Sequence, residues 1–559
     1  MQSDRKTCKN CNIQFVIEPD DFSFYKKMGV PAPILCPECR FKRRALFRNE
    51  TTLYTRKCDL CKKSVISMYN PKLPYTIYCE RCYESDAWDP FSYTIEYDEG
   101  KPFFEQLGEL FRWVPKMTTF ISASGKLGSN VNSEYTNVAG GNKDCYLIFN
   151  GGGNENVLYS RGVSFSRDSL DGYFGLNLER CYETVNVNQS NGVCFGHNVN
   201  GSVDSIFLLN ASGCQNCFAC VNLRNKSHHF FNEPLSKKDY EKRVGEIRGS
   251  FSKMEEARKQ FEEFSLKFPR RENNNLKTIR STGDYLVETK NLHHCFEAQQ
   301  CEDSKYLFSV KFAKDCYDLI GFGYDSELLL ENVGTGYSSR VMASYAVENS
   351  QNVMYSFMVR RGTNSDCIGC DSVRNAKYCI LNKRYDEKEY HRLRRHIVNE
   401  LEHMKEYGLF MPPSLAPFAY NETVGQDNLP FTKEEALRRG LRWEEDIQMT
   451  TGRGTMKPAE IPDHIKDVPD SITNEILACV SCGRNYNVIP AELQFYRRMI
   501  VPIPRQCFFC RQRDRIRRRG PMKIFDRACA KCEKPIKTTY APERPEIVYC
   551  EPCYQAEVV

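Results

Sequence analysis

No run of apolar residues in this chain approaches the roughly 18 that a membrane-spanning helix needs, which argues against a helical membrane protein. The opening Met1-Gln2-Ser3-Asp4-Arg5-Lys6 is followed by no apolar stretch, so an export signal is not expected. Enzyme signatures are missing as well. There is no HExxH, no phosphate-loop lysine motif, no GxGxxG after a strand and no nucleophile elbow, so no catalytic residues are expected. His391, His396 and His403 stand five and seven apart on a predicted helix, a spacing that makes a solvated face and not a metal pair. Gly151-Gly152-Gly153 falls in a predicted turn, where glycine serves backbone geometry.

Cysteine is abundant, with 28 in 559 residues. Without an export signal these are expected as reduced thiolates in a cytoplasm, not as disulfides. Eight near the N-terminus (Cys8, Cys11, Cys36, Cys39, Cys58, Cys61, Cys79, Cys82) each have a partner 471 positions on: Cys479, Cys482, Cys507, Cys510, Cys529, Cys532, Cys550 and Cys553. Phe24-Tyr25 and Phe495-Tyr496, Pro31/Pro33 and Pro502/Pro504, and Arg40 and Arg511 keep the same offset. Each module is four Cys-x2-Cys knuckles, enough for two closed four-thiolate sites. Such sites leave no open coordination position and call for structural zinc, four ions in all, with iron–sulfur or reactive thiols as the alternative. The spacing leaves two pairings of the knuckles open, in sequence or alternate and cross-braced. Small modules of this kind fold on their metal.

Two knuckles with Phe-Tyr between them, Pro-x-Pro before the second and a closing Cys-x2-Cys-Arg resemble the zinc-ribbon domain family of treble-clef type, over residues 8–44 and 479–515. The second site of each module, closing on Tyr-Cys-Glu-x-Cys-Tyr, looks like an ordinary zinc ribbon. Because the first two knuckles resemble a stand-alone domain, the resemblance implies that knuckles pair in sequence. The whole order resembles an uncharacterised family of large multi-zinc-ribbon bacterial proteins of reduced-genome lineages. That resemblance implies an architecture and brings no activity with it.

Charge is distributed unevenly. Residues 1–85 and residues 475–559 each carry 16 Lys+Arg against 9 Asp+Glu; with +6 for the whole chain, the +7 at each end leaves −8 for the middle. Basic runs follow the second knuckle of each module: Arg40, Lys42, Arg43 and Arg44, then Arg511, Arg513, Arg515, Arg517, Arg518 and Arg519. Those ten residues are the candidate nucleic-acid contacts, with Phe508-Phe509 as a stacking surface. A solvated helix face and a ribbon core are the plainer readings of the same residues.

Between the modules a 12-residue step from Cys145 lands on Val157, Ser169, Cys181, Val193, Ser205, Cys217 and His229. Asn or Asp precedes five of these eight positions, and a large apolar residue usually follows, the pattern of a strand entered from a left-handed turn. A fixed short period without helical spacing predicts a parallel β-solenoid, with two steps, about 24 residues, to a coil. The pattern recurs 150 positions on, Cys217-x2-Cys220 matching Cys367-x2-Cys370, with one or two insertions near residues 320–350. Cys214-x2-Cys217-x2-Cys220 looks like part of an iron–sulfur run, but Asn364 replaces the first cysteine in the second copy. Cys217, Cys220 and His229, with Cys367, Cys370 and Cys379, are either core or an additional metal site.

The expected fold is mainly β: a duplicated parallel β-solenoid with capping helices, flanked by duplicated treble-clef and zinc-ribbon modules. Expected segments are 1–90 and 475–559 (double ribbons), 91–130 (helical connector), 131–235 and 281–385 (solenoid), 236–280 and 386–410 (capping helices), and 411–474 (a proline-containing linker with a short helix). Two functions fit a non-catalytic zinc protein of this kind. Either the basic ribbons bind nucleic acid, structured RNA or a ribonucleoprotein, spaced by an acidic solenoid, or the solenoid is a protein-interaction scaffold with the ribbons as structural caps.

Overall fold

The computed structural model describes residues 2–120, 128–447 and 450–558. Positions 121–127 of the expected connector, 448–449 of the expected linker, and both terminal residues lie outside the described residues. The fold is mainly β, with large parallel-rich sheets and, among the described residues, no closed barrel. The chain forms two compact units of interleaved segments: Met1–Gly125 with Asn273–Glu445, and Lys126–Glu272 with Asp446–Val559. Each unit therefore joins one ribbon pair to one repeat region: the N-terminal ribbons to the second repeat, the C-terminal ribbons to the first.

In the second unit, strands from Thr136–Asn137 to His229–Phe230 form one parallel ladder in chain order, closed by the antiparallel strand Glu233–Pro234. Every pairing is offset by twelve residues: Glu155 faces Arg167, Leu158 faces Leu170, Arg161 faces Tyr173, and Ser164 faces Leu176. All four triplets of a step are thus hydrogen-bonded to their neighbours one step on. The parallel register is therefore 12 residues, where about 24 to a coil was expected. The physical reason is a left-handed residue at every third position, as at Asn156, Tyr159, Gly162 and Phe165, so four turns return the chain to its starting column. Asp144, Asp168, Asp204 and Asn216 suit that backbone. Tyr159, Phe174, Phe195 and Phe207 adopt it at an intrinsic cost of about 1–2 kcal/mol each, offset by pairing on both sides.

Inward positions also recur every third residue, and Cys145, Ile148, Val157, Val163, Cys181 and Val187 belong to one buried cluster. Many inward amides have no backbone acceptor and bond a side chain one step back. The Cys181 N–H donates to Ser169 Oγ (3.1 Å), the Cys217 N–H to Ser205 Oγ (3.0 Å), and the Ser166 N–H to Asn154 Oδ1 (3.0 Å). Cysteine does the same work, since the Val157 N–H donates to Cys145 Sγ at 3.4 Å. A core that must stay narrow and satisfy its own amides selects Ser, Cys, Asn and Val. Cys214, Cys217 and Cys220 are three successive inward positions of this kind.

The first unit repeats the ladder from Gly283–Asp284 to Lys377–Ile380, again closed by an antiparallel strand, Lys383–Arg384. Two insertions interrupt its step. Ala313 faces Ser326, thirteen on, beside Gly323 (φ +115°), and Ser350 faces Asn364, fourteen on, across Arg361–Thr363. The first lies where the sequence blurred; the second falls beyond that window.

Helices follow both ladders, capped by Ser236 and Asp386, whose side chains accept from the Asp239 and Glu389 amides. The first is two helices, Lys237–Ile247 and Phe251–Ser265, broken at Gly249 (φ +88°). Its stripe packs on its own ladder, with Phe261 against Phe207 and Phe264 against Phe231. The stretch expected as a linker is packed as well. Residues 411–445 lie along the N-terminal ribbons, with Phe418, Tyr420 and Val424 buried and the Tyr54 hydroxyl bonded to Glu422 at 2.7 Å. Residues 450–474 do likewise in the other unit, where the Arg505 guanidinium donates to the carbonyls of Ile461 and Pro462. Prolines fix an extended path, and the apolar residues between them supply the burial.

Replacing Ser205 with alanine leaves the buried Cys217 amide without its acceptor. Stability measured by denaturant unfolding is expected to fall by about 1–3 kcal/mol, with most of the loss restored in Ser205→Cys.

Candidate metal centres and the helices they anchor

The leading knuckle of each site is a tight turn built the same way four times. The Cys8 N–H donates to the Ile13 carbonyl, Cys58 to Lys63, Cys479 to Arg484 and Cys529 to Lys534, all at 2.8–2.9 Å. Asn12, Lys62, Gly483 and Glu533 take the left-handed conformation that this turn requires. The closing knuckle of each site sits at a helix N-terminus. Cys36, Cys79 and Cys507 are N-cap residues, and Cys550 immediately precedes Glu551–Val558. A helix N-terminus presents amides and positive dipole to a thiolate.

Four quartets result: Cys8, Cys11, Cys36, Cys39; Cys58, Cys61, Cys79, Cys82; Cys479, Cys482, Cys507, Cys510; and Cys529, Cys532, Cys550, Cys553. In each the Sγ atoms all lie within 4.8 Å of one another. Knuckles therefore pair in sequence, not cross-braced. A tetrahedral zinc with Zn–S near 2.3 Å places its sulfurs about 3.8 Å apart. The Sγ separations across the knuckles are 3.6 Å (Cys11–Cys36), 3.9 Å (Cys61–Cys79), 3.7 Å (Cys482–Cys507) and 3.6 Å (Cys532–Cys550). These residues fit structural zinc. Amides complete the outer layer, with the Cys36 N–H on Cys8 Sγ (3.2 Å) and the Cys550 N–H on Cys529 Sγ (3.3 Å). Burial raises the Cys58 thiol, but amides of Cys61, Cys79 and Leu60 prevail and bring it down to about 6; amides of Cys550, Cys532 and Lys531 do the same for Cys529.

Among the described residues no other three or more Cys, His, Asp or Glu gather this closely. Cys217 and Cys220 belong to the core, and His229 turns its Nδ1 to the Ser227 carbonyl (2.8 Å). Cys367, Cys370 and Cys379 are core residues too.

The basic runs begin at the metal. Helix Pro37–Ala45 carries Cys39 and then Arg40 and Arg44; helix Phe508–Arg519 carries Cys510 and then Arg511 and Arg515. In the first unit Arg40 Nη2 meets Asp318 Oδ2 at 2.9 Å, Arg44 Nη2 meets Asp318 Oδ1 at 3.0 Å, and Arg44 also pairs with Glu331. In the second unit Arg511 Nε meets Asp171 Oδ2 at 2.8 Å, and Arg515 bridges Asp171 Oδ1 (2.9 Å) and Glu183 Oε1 (2.6 Å). Asp318 and Glu331, like Asp171 and Glu183, are left-handed residues one ladder step apart on the face that each helix covers. Arg44 and Arg515 are fully buried (0% exposed), as are both aspartates. Burial opposes the Arg511 charge, but Asp171 foremost holds its pKa well above the ordinary arginine value. The same clamp is built twice. Arg40 Nη1 and Arg511 Nη1 also reach back to the carbonyls of Leu35 and Gln506, both at 2.8 Å.

Of the ten cations read as nucleic-acid contacts, Arg40, Arg44, Arg511, Arg515 and Arg519 are buried. Lys42 pairs with Glu38 at 2.5 Å, and Arg43 pairs with Glu406 and donates to the Met411 carbonyl. Arg518 holds Glu183 at 2.7 Å while remaining partly exposed. Arg513 and Arg517 stay on the surface, the first against Cys510 Sγ (3.3 Å), the second beside Asp514 (3.4 Å). Phe508 is buried against Tyr159 and Phe149; Phe509 is partly exposed under the Arg484 guanidinium. The carboxylate partners were missed in the sequence. Their signal was present: within the basic runs, only Arg40/Arg511, Arg44/Arg515 and, one turn further, Arg48/Arg519 keep arginine at the 471 offset.

No family model matches this chain, and no curated protein does. A solved structure from Desulfovibrio desulfuricans G20, assigned as an acetyltransferase, is 7% identical over 47% of this chain and 71% of its own, with a TM-score of 0.10. At that value the likeness says nothing of fold or activity. No helix among the described residues is long and apolar enough to cross a membrane.

Elemental analysis of purified protein is expected to give four zinc ions per chain; iron in their place, or half that zinc, would refute the assignment. Cys36→Ser should lose one ion and raise hydrogen exchange both in residues 37–45 and in the facing strands near Asp318 and Glu331. Arg515→Met removes the one guanidinium that Asp171 and Glu183 share, leaving Asp171 to Arg511 and Glu183 to Arg518. Stability is expected to drop by about 3–5 kcal/mol with zinc content unchanged.

Proposed function

We propose that the protein is a non-catalytic scaffold: two zinc-braced β-solenoids whose outer faces engage a protein partner, with the ribbons as structural clamps. The single observation behind this reading is the fate of the basic runs. Half of the cations available for phosphate are buried, and four of them are consumed by carboxylates of the repeat in their own unit. A cation already paired in a dry site has no charge left to offer a phosphate. The solenoid assignment rests on the unvarying twelve-residue parallel register and its left-handed residue at every third position. A solenoid offers long flat columns of side chains, a surface suited to an extended partner.

The nucleic-acid reading retains Arg513 and Arg517 with the Arg484–Phe509 pair, a small exposed set beside the second clamp. The two readings separate in one experiment. Native protein purified with its bound material should retain a defined protein partner after nuclease treatment and at high salt. Replacing Arg513 and Arg517 with glutamine should leave that association unchanged. If nuclease strips the bound material, and affinity falls with salt at a log–log slope near −0.7 to −0.9 per phosphate, the scaffold reading fails.

A further inference from the structure

The two insertions in the second ladder bracket a groove of about 660 Å³, within the roughly 300–1,000 Å³ typical of ligand sites. Phe312 and Asp325, the residues at the thirteen-residue step, line one end, and Thr363, from the fourteen-residue step, lines the other. The uninterrupted first ladder keeps its twelve-residue register throughout. The extra residues therefore flank the groove, and the paired strands of the other copy carry no such insertion.

Its floor is a column of side chains in register across successive steps. Lys314 faces Glu327, Glu327 faces Ser339, Ser339 faces Gln351, and Gln351 faces Ser365. One wall holds Phe312 and Tyr337, with Tyr324 stacked between them at 5.9 and 6.3 Å. Beneath the floor lies an inner row, Ser326, Ser338 and Ser350, whose hydroxyls all donate to backbone carbonyls. The outer row differs. No described residue takes up the side-chain donors and acceptors of Ser339, Asn349, Gln351 or Ser365, although an equally polar row one layer below is fully engaged.

We infer that this groove binds a neutral oligosaccharide chain. Hydroxyls and carboxamides both donate and accept, which matches them to sugar hydroxyls, themselves donors and acceptors. Aromatic walls cover the apolar C–H faces of a sugar ring. The charge balance speaks against polyanions, because Lys314 is opposed by Asp325 and Glu327 in the same lining. Steps of a parallel ladder recur at about 4.8 Å, close to the length of one ring along an extended glycan, so successive units would meet successive members of the column. The inference goes beyond the scaffold reading and stands on separate residues, so either can fail alone.

Calorimetry on the full-length, zinc-loaded protein tests it, with maltohexaose, cellohexaose, chitohexaose and polyuridylate as probes. At least one neutral hexasaccharide is expected to bind. Gln351→Ala and, separately, Ser339→Ala should each weaken it about tenfold with the unfolding temperature and zinc content unchanged. Absence of binding by all three hexasaccharides at millimolar concentration would overturn the proposal. So would affinity unchanged in both the Gln351 and Ser339 variants, or polyuridylate binding that depends on Gln351.

Discussion

Two arginines one helical turn apart, gripping two carboxylates one ladder step apart, hold each unit together. The match is geometric. Residues i and i+4 of a helix are separated by about 6 Å along its axis, and neighbouring strands by about 4.8 Å, so a single helix laid over the ladder meets two successive steps. Four charges are then removed from water together, and each guanidinium finds more than one oxygen. Such a network contributes little net stability against an apolar packing of equal volume, but breaking one member of it is costly. What it supplies is register: a slip by one step would bring Arg515 opposite Phe195 instead of Glu183.

The metal centres set up that grip. Cys39 and Cys510 lie one residue before Arg40 and Arg511, on the first turn of the helix that carries the clamp. A thiolate held by zinc would fix the start of the helix, and with it the direction of both guanidinium groups. Zinc binding and ladder docking are therefore linked through a few residues of rigid backbone, and the free energy of metal binding is available to the whole unit and not only to the ribbon.

Much of this was legible in the sequence, and the limits have physical causes. Cys-x2-Cys spacing encodes a local turn, so all sixteen cysteines could be read directly, while their pairing in sequence came from the likeness of the first two knuckles to a stand-alone domain. The twelve-residue step was visible because inward positions admit few residue types. That each step pairs with the very next was not, because the left-handed corners accept Phe, Tyr and Glu as well as Asn and Asp, and those residues carry no turn signature. The partners of the basic runs were hidden for a related reason. Sequence shows that Arg511 and Arg515 are charged; it does not show that Asp171 and Glu183, more than 300 positions away, meet them. The prolines of residues 411–474 likewise suggest a linker only when the buried Phe418 and Tyr420 beside them are left out.

Duplication explains why the two halves can share one design while the insertions fall in the second ladder. The clamps occupy equivalent columns in both repeats, Tyr159, Asp171 and Glu183 in one and Tyr306, Asp318 and Glu331 in the other. The second spacing, Asp318 to Glu331, already contains the extra residue beside Gly323. The insertion was therefore accommodated within the clamped steps without loss of the carboxylate pair, as a bulge that turns Tyr324 and Asp325 outward while the inward row resumes at Ser326. A ladder held at its core by side-chain-to-amide bonds and on one face by arginine can tolerate an added residue on another face. That separation of duties lets a repeat of nearly fixed period acquire a local surface feature without giving up its register.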